Sequence, residues 1–259
     1  MVLSRVGVIG RTVFLEVIRD RILYLVALFA LVMVIAKVLL PDIAVGAENK
    51  ILIDLGLASI HLLSVVVAVF VGTGLINKEI EKRTVLVLIA KPVSRAEFIV
   101  GKHLGLTAVL AVLIAALGLI FIALLAVSGI AFSLGSLVLA LLFMVLEAAL
   151  LVAVAIAFGV FTSSLLATLL TFAVYLMGHL SQDLVAFGQL SETPAVQRLT
   201  NILYLLLPDL ERLNLRNQAT YGPELLPSVS ELWGHGLYGL LYTALLLMVA
   251  SVIFSRRQF

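Results

Sequence analysis

Six uninterrupted apolar runs leave this chain little choice of fold. They cover roughly Ile22–Leu40, Leu55–Ile76, Leu104–Val127, Leu137–Phe161, Leu165–Leu180 and Gly236–Phe254. A bilayer core takes about 20 apolar residues as a helix. Inside lipid every backbone polar group must be satisfied within the protein, so only helices or closed barrels span it. The runs are continuous rather than alternating, which excludes a barrel. Charged residues make up 12% of the 259 residues, about half the share a soluble domain carries. The expected fold is therefore an all-α membrane protein of six transmembrane helices. Residues 1–259 read as one membrane domain, with no internal repeat and no low-complexity segment.

The polar segments between the runs set the organisation. Residues 4–21 read as an amphipathic helix lying in the headgroup region, with Val6, Ile9, Val13, Phe14, Val17 and Ile18 at helical spacing. The plainer alternative is an extension of the first span. Pro41-Asp42 is expected to end that span, and residues 42–54 to form a polar loop. Residues 181–234 form a long loop with short helices. In it Thr193-Pro194 reads as an N-cap with proline at the first helical position, and Ala195–Leu207 as a helix. Lysine and arginine are asymmetric. Arg5, Arg11, Arg19, Arg21, Lys78, Lys82, Arg83, Lys91, Arg95, Lys102, Arg256 and Arg257 fall on one side, against Lys50, Arg198, Arg212 and Arg216 on the other. The positive-inside rule makes the first side cytosolic, with both termini on it. Cysteine is absent, which removes disulfides, thiolate nucleophiles and cysteine metal sites. No cleavage pattern follows the first apolar run, so a cleaved leader is not expected.

The segment from Asn77 to Gly105 holds nine of the 32 acidic and basic side chains. Ser94-Arg-Ala-Glu97 fits the capping box, and Pro92 disfavours helix at Lys91. The spacing predicts a helix running on from the second span to about Ile89, a break over 90–93, and a new helix from Arg95. A short charged helix with apolar knobs (Val85 to Ile89) suits a groove on a soluble partner. The plain alternative is a solvated loop with ordinary positive-inside charge.

Residues 79–102, Glu-Ile-Glu-Lys-Arg-Thr-Val-Leu-Val-Leu-Ile-Ala-Lys-Pro-Val-Ser-Arg-Ala-Glu-Phe-Ile-Val-Gly-Lys, resemble the cytosolic loop of ABC-2 type transporter permeases. Thr84, Pro92, Ser94, Arg95, Gly101 and Lys102 match that family's pattern, while Arg83 stands where many members have glycine. Arg-Asp-Arg (19–21), Phe-Thr-Ser-Ser (161–164) and Pro-Asp-Leu-Glu-Arg-Leu-Asn-Leu-Arg (208–216) extend the likeness. The last of these resembles permeases that assist maturation of nitrous oxide reductase. The resemblance implies the ABC-2 (type V exporter-like) permease fold and a half-transporter in the inner membrane. Two copies would pair, a homodimer being favoured, and two cytosolic ATPase subunits would drive them, holding ATP and magnesium themselves. The segment 78–102 would contain the coupling helix. The coupling candidates are Glu79, Glu81, Lys82, Arg83, Thr84, Lys91, Pro92, Ser94, Arg95, Glu97, Gly101 and Lys102. Direct reading of the residues agrees that hydrolysis lies elsewhere. The phosphate-cradling G-x-x-x-x-G-K-[ST] loop fails at Gly101-Lys102, which has Ala96 and His103 in the flanking positions. Neither a bound cofactor nor a nucleic-acid partner is expected.

Within the spans Glu147 is the intramembrane functional candidate, since a carboxylate at that depth is costly and faces the bundle interior. A proton or substrate contact, a dimer contact and a neutral packing residue all fit it. His61, His103, His179 and His235 show no ligand spacing along the chain, so no metal site is expected. Ala153, Ala155, Ala157, Gly159 and Gly178 suit close helix packing. No H-E-x-x-H or G-x-S-x-G motif occurs, which argues against an intramembrane hydrolase. The rival reading is a membrane scaffold that binds a soluble partner and moves nothing. A secondary transporter would call for inverted repeats and broken helices, and neither is read here. The apolar spans suit a lipid-like cargo, but they would face lipid in any case.

Overall fold

A computed structural model describes residues 2–19, 22–44, 46–81, 94–191 and 193–256. Among these residues it is helical throughout, without a strand. Ten α-helices follow in order among the described residues. They are α1 (Val2–Arg19), α2 (Ile22–Ile43), α3 (Glu48–Glu81), α4 (Arg95–Val127), α5 (Leu134–Phe161), α6 (Ser164–His179), α7 (Ser181–Leu190), α8 (Pro194–Leu206), α9 (Arg216–Tyr221) and α10 (Val229–Arg256). Short 3-10 turns at Glu211–Leu213 and Pro223–Leu225 flank α9.

The polyapolar α5 is the centre. Every residue from Leu150 to Ala157 is buried, and α3, α4, α6 and α10 pack around it. Small residues permit this. A Cβ at Gly72 of α3 would stand 2.9 Å from the Ala155 Cβ. Peripheral α2 buries only one edge, with Phe29 and Met33 inward and Leu28, Leu31 and Val38 outward, as a lipid-facing helix should.

Among the described residues five helices are long and apolar enough to cross a membrane: α2, α3, α4, α5 and α10. The expected fifth span is different. Helix α6 has 16 residues, about 24 Å at 1.5 Å per residue, short of the roughly 30 Å core. At Leu180 the chain bends by 64° into α7, and only the bent pair together passes as a sixth span. A broken helix is thus present where the sequence showed none.

Other boundaries shift because hydropathy marks lipid contact, not helix. Pro41 lies inside α2, which runs on to Ile43. Proline lacks an N–H and so forfeits a single bond near the helix end. The residues expected as a loop before Leu55 are largely the start of α3, from Glu48. Ser228 accepts from the Glu231 N–H (3.4 Å) while its own N–H donates to Glu231 Oε2 (2.8 Å), which starts α10 at Val229 instead of Gly236. Helix α7 was not foreseen, whereas α8 falls one residue from its expected limits. The continuation of α3 past Glu81 and the break at 90–93 lie outside the described residues.

Helix α1 packs along the first turns of α4. A Cβ at Gly105 would stand 2.6 Å from the Gly10 carbonyl oxygen and one at Gly101 would stand 2.8 Å from the Ile9 Cβ. Val13 and Val17 are buried there, while Val8 and Leu15 stay exposed. Helix α4 ends in a Schellman motif, with Gly129 at φ +67° and Ile130 N–H donating to Leu125 O (3.1 Å). The end of the bundle carrying α1, the α3–α4 connection and the last turn of α10 is called the basic end below.

Candidate functional site

Two polar constellations stand out in this apolar bundle. The first is at the basic end, where α3 leaves and α4 returns. Ser94 caps α4 in the expected box: its Oγ accepts from Glu97 N–H (3.1 Å) and its N–H donates to Glu97 Oε2 (2.7 Å). Lys102 Nζ donates to Glu79 Oε1 across the two stems, both side chains being largely withdrawn from solvent. The pair clamps together two helices whose connecting residues are 23 apart in sequence. Arg95 donates to the carbonyls of Phe254 (2.7 Å) and Ser255 (2.8 Å), which satisfies acceptors that the end of α10 would otherwise leave open. Gly101 lies against α1, as described above. Glu79, Arg95, Glu97, Gly101 and Lys102 are thus engaged in mounting the segment on the bundle. Glu81 ends α3; Lys82, Arg83, Thr84, Lys91 and Pro92 lie outside the described residues.

The second constellation is buried. Glu147, at the middle of α5, meets His61 of α3 and His179, the last residue of α6. His61 Nε2 is 2.8 Å from Glu147 Oε1, and His179 Nε2 is 3.4 Å from the same oxygen. One ligand atom from each of the three residues falls within 4.8 Å of the others. Glu147 is 1% exposed and His61 3%, so this chain itself covers Glu147. Tyr175 closes one side, its ring 4.7 Å from that of His179 and 5.9 Å from that of His61.

Hydrogen placement in this cluster follows from one contact. His179 Nδ1 is 3.1 Å from the Tyr175 carbonyl oxygen. A carbonyl only accepts, so Nδ1 carries the hydrogen, and the neutral ring then has its lone pair on Nε2. That lone pair faces a carboxylate oxygen. Glu147 Oε2 and His179 Nε2 make no hydrogen bond among the described residues. A buried carboxylate so short of partners costs several kcal/mol unless a cation or proton is shared with it. The arrangement can therefore hold a proton or a metal ion.

The segment 208–221 packs beside the end of α6 and the start of α3, opposite the basic end. Leu210 N–H donates to the Gly178 carbonyl (3.1 Å), an approach that a side chain at 178 would block, since its Cβ would be 2.8 Å from Pro208 O. Arg212 Nε donates to Asp209 Oδ2 (2.9 Å) and its Nη2 to the Tyr204 hydroxyl (3.1 Å). The hydrogen bond to Asp209 pushes the Arg212 guanidinium further up. Asp209 N–H donates to the Tyr238 hydroxyl (2.8 Å), and α9 rests on α3 and α5.

Sequence reasoning singles out Glu147 as a candidate but does not join it to His61 and His179. The three residues are 86 and 32 positions apart, so spacing carries no trace of them. The available signal was that each is a titratable group inside or at the edge of an apolar run. His103 is buried separately, with Nε2 2.9 Å from Ala149 O.

A family model described as ABC-2 family transporter protein matches residues 13–259 of the chain. No curated protein matches it.

Proposed function

The chain belongs to the ABC-2 family of transporter proteins and is a multi-pass permease subunit of an ABC transporter; on that premise we propose that it couples ATP hydrolysis on separate subunits to outward movement of a substrate. Two copies of the chain pair in the cell membrane with the basic end in the cytosol, and two ATPase subunits dock there, holding ATP and Mg²⁺. Within the family, the run from Pro208 to Arg216 favours kinship with the permeases of nitrous oxide reductase maturation.

The observation that carries this reading is the clamped double stem. Residues 82–93 join two helices that are locked by Glu79 and Lys102, capped at Ser94 and tied to α10 through Arg95. A partner that grips this connection pulls on α3, α4 and α10 together. Force then passes along α3 to its packing seam with α5 at Gly72 and Ala155. A loosely attached loop would dissipate the same pull.

The test uses the transporter purified from its native membrane in mild detergent. An ATPase subunit is expected to accompany the chain. Glu79→Lys should lower substrate- or permease-stimulated hydrolysis by roughly tenfold, within the range of ordinary coupling energies. The exchange Glu79→Lys with Lys102→Glu should recover much of it. A chain that comes from native membranes alone, with no ATPase bound, would instead be a scaffold.

A further inference from the structure

We propose that His61, Glu147 and His179 form a binding site for one divalent transition-metal ion of the zinc class, inside the helix bundle. The ligand set is two imidazole nitrogens and one carboxylate oxygen, which suits zinc and its neighbours and leaves a coordination position open. Metal–ligand bonds of about 2.0–2.2 Å place tetrahedral ligand atoms roughly 3.4 Å apart. The 3.4 Å separation of His179 Nε2 from Glu147 Oε1 matches that value and the 2.8 Å separation of His61 Nε2 is shorter, so a small rotation of the His61 side chain completes the shell.

The orientation of His179 points the same way. Its Nδ1–H donates to the Tyr175 carbonyl, the outer-sphere bond that fixes the tautomer of metal-ligating histidines. Its Nε2 lone pair is thereby aimed at the carboxylate. Two electron pairs facing each other in a site largely withdrawn from solvent repel unless a cation lies between them. A shared proton would relieve that contact but leave the buried Oε2 of Glu147 without a partner. A divalent ion at Oε1 carries two positive charges, so it relieves that contact and also offsets the charge of the whole carboxylate.

The chemistry also narrows the ion. Calcium and magnesium need six or more oxygen ligands or several retained waters, and one carboxylate cannot supply them. Cuprous ion prefers thiolates, and the chain has no cysteine. The proposal concerns a bound ion and is independent of whether an ATPase docks at the basic end.

The test is a titration of the full-length chain in detergent, stripped by a chelator, with Co²⁺ followed by visible absorption. One equivalent per chain is expected, with the intense bands of four- or five-coordinate cobalt, displaced by one equivalent of Zn²⁺. Glu147→Gln and His179→Ala should each weaken binding by more than about 100-fold, beyond the usual loss for an outer-sphere partner. His235→Ala, a histidine outside the cluster, should bind as the parent does. Variants are compared only where they elute as the parent chain. The parent titration stands on its own: absence of a stoichiometric cobalt site overturns the proposal, as does an affinity unchanged in Glu147→Gln. A site that takes up one proton on acidification, and no metal at any pH, overturns it in favour of a proton carrier.

Discussion

At the scale of single residues, the cost of a buried charge in the bundle turns on the partners that geometry supplies. Glu147 is the clearest case, because its stability cost depends on what surrounds it and not on its own identity. Removing one member of a buried ionic pair strands the other, at about 3–5 kcal/mol, whereas replacing the whole group by apolar residues is often neutral. In the chelated, metal-free chain, His61→Leu should therefore lower thermal stability strongly. The triple replacement of His61, Glu147 and His179 by leucine should recover most of the loss. Thermal unfolding followed by circular dichroism in detergent decides it. A triple variant less stable than His61→Leu would mean that the cluster is a net stabiliser. Arg95 makes a second residue-scale case. Its two bonds to the end of α10 are charge-assisted, a class worth about 1.5–3 kcal/mol each at most. Arg95→Ala should speed amide exchange in the last turn of α10 and leave α5 protected.

At the scale of elements, what was legible in the sequence follows the signal that each element carries. The long spans announce themselves through hydropathy, and α4 through the Ser94–Glu97 capping box. The ends of α3 and α10 were misjudged because polar helix outside the lipid looks like loop to a hydropathy argument. The equivalent box at Ser228 and Glu231 carries the correction. The His61–Glu147–His179 cluster was illegible for another reason: it is assembled by the packing of α3, α5 and α6, which no local spacing encodes. The seating of α1 is intermediate. Its amphipathic pattern was visible, but its partner was not, because a glycine crossing reports close approach without saying to what. Gly105→Ala sets a Cβ against backbone, 2.6 Å from Gly10 O. It should destabilise the chain by about 1–3 kcal/mol, the usual cost of overpacking, and free α1 for limited proteolysis. Gly7→Ala, which meets nothing within 4 Å, should do neither.

At the scale of the whole molecule, the short α6 sets both the topology and the depth of the buried cluster. A helix of 16 residues that starts near one face ends before it reaches the other, so His179 stops within the apolar layer beside Glu147. The chain bends there, and the segment from Pro208 to Tyr221 descends to cover the gap, held by Leu210 against Gly178. This account requires that α6 and α7 together complete a crossing. A five-span chain, in which they re-enter and every later residue changes side, would have to part the end of α10 from Arg95. The absence of cysteine makes the choice measurable with single introduced thiols and a membrane-impermeant label. Ala131 lies between α4 and α5, Ser230 at the start of α10 and Arg256 at its end, all exposed. With six spans, Ala131→Cys and Ser230→Cys react from one face of sealed vesicles and Arg256→Cys from the other. With five, Ala131→Cys and Arg256→Cys share a face, and Ser230→Cys reacts from the opposite one. The six-span pattern is expected, with Arg256→Cys labelled from the cytosolic side. The five-span pattern would put the end of α10 on the face opposite Arg95 and overturn the contact between them.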